Sequence, residues 1–158
     1  MTKEACNDLA VRANIMWSAS LALNGLIGVG VPQDWTTHMI GHEITAAHGI
    51  DHARTLSIIL PAVMKHQRNN KAAKLLQYAE RIWQIVDGSD GEKIDAAIAK
   101  TEDFFRAMKM PTRLSEVDID PKTIDGVLAK LAAHGMLKLG EHRQITLEQS
   151  REILTLSI

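Results

Sequence analysis

The chain is poor in several residue types. Of its 158 residues only one is cysteine (Cys6), four are proline and 4% are aromatic. A lone cysteine excludes an internal disulfide framework and fits a reducing compartment. Long apolar runs are also missing. None reaches the about 18 residues that a membrane-spanning helix needs, and the opening "MTKEACNDLAVR" carries charges where a secretory signal would be apolar. Charge of one sign is scarce too: the formal net charge is −1, which advertises no nucleic-acid partner and no membrane partner. A cytoplasmic protein is expected.

What is present is aliphatic. With 46% hydrophobic and 23% charged residues, the composition is that of a globular domain packed on Leu, Ile, Val and Ala. The length suits a single domain over residues 1–158 and is too short for a nucleotide-binding domain plus a substrate domain. Apolar residues recur with helical period from Glu4 to about Asn24, and "GLIGVGVPQD" then breaks the pattern. Gly25, Gly28 and Gly30 follow a helix instead of a strand, so they read as a turn and not as a phosphate cradle. Asp34 can cap a helix from Trp35 toward Ala47 that stops at Gly49. Asp51 can cap the next, from His52 to about Gln67, with Pro61 inside it. "NKAAKLLQYAERIWQIVDG" places Ala73, Leu76, Ala79, Ile82, Trp83 and Val86 on one face. Further helices are expected from Ser89 to Met110, after Pro121, and from Thr146 to about Leu156. No segment alternates with period two, so the chain reads as all-α: six or seven helices and nothing else.

The stretch "THMIGHEITAAHGIDHARTL" holds four of the seven histidines: His38, His42, His48 and His52. The zinc-protease pattern of two histidines four apart with a glutamate after the first fails, because His48 lies six residues beyond His42. His38 and His42 do share a helical face, one turn apart. Had one unbroken helix joined His38 to His52, fourteen residues at ~1.5 Å would hold them roughly 21 Å apart. A turn at Gly49 removes that obstacle, although spacing alone does not choose among His38, His42 and His48 as the partner of His52. Four imidazoles in two short segments would repel one another when protonated, a cost that a function would explain. Trp35 and Met39 are candidates for pocket walls.

"VPQDWTTHMIGHEITAAHGIDHARTLSIILPAVM" resembles the metal-binding signature of the iron-containing alcohol dehydrogenases, His-x3-His-x9-His followed by a helix with an internal proline. The flanking "VRANIMWSASLALNGLIG" and "AKLLQYAERIW" resemble its branch of NADPH-dependent aldehyde reductases and butanol dehydrogenases. The resemblance implies a helical, bundle-like metal-binding C-terminal domain of a two-domain dehydrogenase, here without its N-terminal α/β nucleotide-binding domain. It implies that His38 and His52 ligate a divalent metal, Fe or Zn. It also implies that His42 lies beside the nicotinamide of NADP(H) and the substrate, where it acts in cofactor binding and in proton transfer. His48 inherits no ligand role and is a candidate for lining the cleft. Ala53 stands where many members have glycine. The family's remaining ligands, an aspartate and a histidine four residues later, have no free counterpart before His38.

On this reading the lineage is an oxidoreductase moving hydride between NAD(P)H and a short-chain aldehyde or alcohol. The chain alone is expected to be inactive, to hold metal weakly at most and to bind no nucleotide. Its partners would be the absent α/β domain and, through exposed apolar surface, other copies of itself. Two alternatives are a non-catalytic helical interaction module and a winged-helix-like DNA-binding segment over Thr123 to Leu154. In the latter Lys138, Arg143 and Arg151 alternate with Glu141, Glu148 and Glu152, unlike a DNA-reading helix.

Overall fold

The computed structural model describes residues 7–158. Cys6 and the helix start expected at Glu4 lie outside the described residues. The chain divides into two compact units, one reaching to Gln33 and the other running Asp34–Ile158.

The described part of the first unit is helix α1 (Leu9–Leu23) and a short 3-10 turn, Leu26–Gly28. Asp8 starts α1 by accepting hydrogen bonds from the Ala10 and Val11 amides at 2.8 and 3.3 Å. Gly25 ends it: its φ of +86° lies in the left-handed region that favours glycine. No residue of α1 is buried.

The second unit holds helices α2 (Thr36–His48), α3 (His52–His66), α4 (Ala72–Trp83), α5 (Asp90–Ala107), α6 (Ile124–Ala133) and α7 (Leu147–Leu156). The expected all-α class holds, with one addition. Strands β1 (Lys138–Leu139) and β2 (Ile145–Thr146) pair antiparallel, Leu139 opposite Ile145. Two residues per strand are too few for alternation to show in a sequence. Capping boxes open α5, through Ser89 and Glu92, and α7, through Thr146 and Gln149.

The main core is aliphatic, as the composition requires. Ile40 and Ile44 of α2, Ile58 and Ile59 of α3, Leu131 of α6 and Ile153 of α7 are among its buried members. Each such side chain contributes roughly 1.5–3 kcal/mol on leaving water. A second cluster joins Leu75 of α4 to Ile94 and Ile98 of α5. Here the expected face of α4 is displaced. Leu75 and Ala79 are buried, whereas Ile82 and Val86 are each 61% exposed. The chain leaves the helix at Gln84 in a left-handed conformation, φ 57°, so Val86 never joins the helical face.

Candidate metal centre and adjoining cleft

Gly49, with φ +68°, turns the chain at the end of α2, and α3 begins three residues later. The two helices therefore lie side by side. Gly41, in the middle of α2, allows close approach: a Cβ there would stand 3.0 Å from the Thr55 Oγ1 on α3 and 3.6 Å from Leu56. Thr55 Oγ1 donates to the His52 carbonyl at 2.8 Å, which ties that contact to the first turn of α3. Gly41 carried no recognised signal in the sequence. A glycine inside a helix, a type that costs about 1 kcal/mol against alanine, was the available one.

Three imidazoles meet across this junction. The ring centroids of His38 and His52 lie 5.2 Å apart, those of His42 and His52 4.6 Å, and those of His38 and His42 6.1 Å. Trp35 sets its ring edge-on to His38 at 5.0 Å, and Met39 packs against the main core. His48 is exposed at the last turn of α2, away from the three rings. His38 is pulled below the ordinary histidine value by burial, then by repulsion from His52 and His42. It is therefore neutral at pH 7, with a ring lone pair available.

Two observations bear on whether an ion fits. Two imidazoles bound at ~2.0–2.1 Å to one tetrahedral ion have centroids about 5 Å apart, and the His38 and His52 rings have that separation. His52 Nδ1 is buried and no protein group satisfies it. Two imidazoles at a separation that one ion could span are thus present. Among the described residues no group of three or more His, Cys, Asp or Glu side chains is arranged to hold an ion.

The start of α2 is fixed from outside the histidines. Asp34 Oδ1 accepts from the Thr36 amide at 2.8 Å, but the helix starts one residue later than expected, with Trp35 and not Asp34 at the cap position. Asp34 Oδ2 lies 2.7 Å from Lys71 Nζ, which also meets Glu141 Oε2 at 2.6 Å. Burial alone would raise the Asp34 carboxyl, but the hydrogen bonds from Lys71 and Thr36 outweigh it and hold the group below the usual aspartate value. Asp51 occupies the cap position of α3, yet its side chain makes no capping bond. On the opposite side of α2 the buried Glu43 Oε1 lies 2.7 Å from His134 Nδ1, a pairing that sequence reasoning missed because the partners stand 91 residues apart.

Beside His38 opens a cleft of about 510 Å³. Asp34 just ahead of α2 borders it, as do Thr37 and His38 of α2, Leu56 and Leu60 of α3 and Phe104 at the end of α5. Neither Trp35 nor Met39, the residues expected as walls, lines it. The aromatic and thioether wall comes from 104–110, a stretch that sequence reading treated only as the end of a helix. In the alternative DNA-reading segment, Arg151 is occupied by Asp125 at 2.7 Å.

The sequence model of the Fe-containing alcohol dehydrogenase family, C-terminal part, matches residues 1–158. The chain is 60% identical over 143 residues to the NADPH-dependent aldehyde reductase YqhD of Escherichia coli, covering 90% of this chain and 37% of that protein. To NADH-dependent butanol dehydrogenase A of Clostridium acetobutylicum it is 31% identical over 152 residues, 95% of this chain and 39% of that one. The substrate- and cofactor-free structure of the E. coli YqhD superposes with a TM-score of 0.94 at 56% identity, over 96% of this chain and 40% of its own. The chain spans about two fifths of the length of these relatives.

Proposed function

This chain belongs to the Fe-containing alcohol dehydrogenase family, and from that premise we propose that it is the metal-binding helical part of an enzyme moving hydride between NAD(P)H and a small aldehyde or alcohol. The observation that carries this reading is the meeting of His38, His42 and His52 across the α2–α3 junction.

His38 and His52 would hold a divalent ion, Fe or Zn, through neutral imidazoles. When bound, that ion supplies Lewis-acid polarisation of a carbonyl or alkoxide oxygen. His42, exposed to solvent and 4.6 Å from His52 between ring centroids, would pass a proton between that oxygen and water through a ring nitrogen. It would also lie against the nicotinamide. Gly41 and Thr55 keep the two helices close enough for these roles, and the Lys71–Asp34 pair fixes the start of α2. Two protein ligands fall short of the three that a catalytic ion normally takes. The others, and the nicotinamide site, would lie in an N-terminal α/β domain within the part of the relatives that this chain does not span. Residues 1–158 then form one incomplete helical domain, inactive alone and inclined to self-associate through α1.

The purified chain is titrated with Co(II), an optical stand-in for the native ion, and assayed with NADPH and butanal. Weak Co(II) absorption that disappears in both His38→Ala and His52→Ala is expected, with no NADPH oxidation. Binding unchanged in both variants would refute the ligand assignment. Turnover by the chain would refute its inactivity.

A further inference from the structure

Lys71 stands between α3 and α4 and reaches carboxylates from two distant parts of the chain. Its backbone is fixed where α4 begins: the amide donates to the Gln67 carbonyl and the carbonyl accepts from the Leu75 amide, each at 2.8 Å. Its ammonium donates to Asp34 Oδ2 at 2.7 Å and to Glu141 Oε2 at 2.6 Å. Side-chain exposures are 20% for Lys71, 17% for Asp34 and 26% for Glu141, so water screens these contacts less than it screens an ordinary surface pair. Burial would lower the Lys71 ammonium, but the hydrogen bonds to Asp34 and Glu141 outweigh it and hold the group above the usual lysine value. Lys71 is therefore charged at pH 7.

Glu141 is itself placed by the fold. It follows Gly140, whose φ of +86° starts the turn of the β1–β2 hairpin, and the Arg143 amide closes that turn on the Gly140 carbonyl at 3.0 Å. Ile145, opposite Leu139 across the hairpin, is fully buried in the main core. The turn is thus anchored. At the other end of this chain of contacts Asp34 accepts from the Thr36 amide, and between those two residues stands Trp35, whose ring lies edge-on to His38. The Trp35 carbonyl also accepts from the Met39 amide at 2.9 Å, a bond of the first turn of α2. Whatever holds Asp34 holds Trp35, and with it the ring of His38.

Charge makes the arrangement depend on the ammonium. Asp34 and Glu141 are close neighbours because one cation lies between them. Without it, two part-buried carboxylates of like charge face each other and are driven apart. Glu141 is tied to the hairpin, so the displacement falls on Asp34 and the start of α2.

We propose that Lys71 is a positioning residue for His38, holding Asp34 and Trp35 in place from an anchor, Glu141, supplied by the β1–β2 hairpin. Its consequence for metal binding rests on the reading of His38 as a ligand, whereas its geometry rests on the fold alone.

The test uses this chain, first without metal. In NMR spectra the His38 ring protons carry the ring-current shift of Trp35. Lys71→Met should move them toward the values of an uncontacted histidine and leave those of His66, at the far end of α3, unchanged. Lys71→Arg, which keeps a cation able to bridge two carboxylates, should keep the parent shift. In Co(II) titrations Lys71→Met should weaken binding about fivefold and Lys71→Arg less than about twofold. The sharpest outcome comes from combining Lys71→Met with Glu141→Gln. Removing the second charge relieves the repulsion, so the double variant should recover part of the His38 shift and bind Co(II) more tightly than Lys71→Met alone. A lysine that only packs would give a double variant no better than the single one. Arg151→Met, which breaks the exposed pair with Asp125, should change neither readout. Should Lys71→Met fail to fold, Asp34→Asn takes its place: asparagine still accepts from the Thr36 amide but lacks the charge that Lys71 holds, and the same displacement of the His38 resonances is expected. Parent resonances in these variants, or a double variant no better than the single, would overturn the proposal. A parent chain that binds no Co(II), with the His38 resonances displaced as expected, refutes the metal reading and leaves the positioning role standing. Co(II) binding by the parent chain with undisplaced resonances in Lys71→Met refutes the positioning role alone.

Discussion

Helices α1 and α3 are each 15 residues long and both carry many apolar side chains, yet α1 buries none of them and α3 buries five. In α1, Met16 and Trp17 are 68% and 66% exposed, whereas Ile58 of α3 is fully buried. Apolar content therefore does not make a core. α3 packs among α2, α5 and α7, and those neighbours remove its surface from water. α1 reads as a helix from its period and its Asp8 cap, and its apolar side chains remain available to a partner.

The strongest way to break this contrast is to truncate one side chain in each helix. Ile58→Ala should cost about 2–5 kcal/mol in urea unfolding, the range for emptying a packed aliphatic site. Met16→Ala should stay within about 0.5 kcal/mol. Equal losses would mean that α1 is buried in solution.

Smaller in effect is Gly41→Ala. The added methyl group would meet the Thr55 hydroxyl at 3.0 Å and press α2 and α3 apart. A destabilisation of about 1–3 kcal/mol is expected from such overpacking, together with weaker Co(II) binding as the His38 and His52 rings separate. A variant that binds Co(II) as well as the parent chain would show that the helices can slide without cost to the site.

The mildest test is by pH. His38 lies below its ordinary value in the folded chain, so the unfolded chain takes up a proton first as the solution is acidified. The associated stability is complete above about pH 6.5 and is lost as pH falls through the lower folded value. Glu102 acts further into acid. Burial would raise it, but hydrogen bonds from Arg113 and Lys65 more than compensate, so its contribution is present above about pH 4.5 and fades as pH drops below. Thermal melts between pH 3 and 8 should lose the upper limb in His38→Ala and the lower limb in Glu102→Gln. An unchanged profile in either variant would remove that group from the account.

The helices were legible because period, caps and breakers act within a few residues. Gly49 as a stop, the beginning of α5 near Ser89 and its end near Pro111 could be read directly. The crowding of His38, His42, His48 and His52 marked the candidate site, and the resemblance of the stretch and its flanks chose His38, His42 and His52 among them and gave the family to which the chain belongs. What could not be read were pairings between distant segments: Glu43 with His134, Lys71 with both Asp34 and Glu141, and Phe104 facing Leu60. The apparent stripe of α4 misled for a related reason, since a helical wheel cannot say where a left-handed residue such as Gln84 ends the wheel.

The sequence by itself determined an aliphatic all-α chain with its imidazoles gathered in one stretch, because side-chain chemistry and a 3.6-residue repeat are local properties. Tertiary structure alone decided that three of those rings meet while His48 does not, and that a hydrocarbon cleft opens at His38. Both outcomes depend on how closely α2 can approach α3, and on the contact between Ser57 and the segment after α5. Those distances are set by packing between residues far apart in the chain.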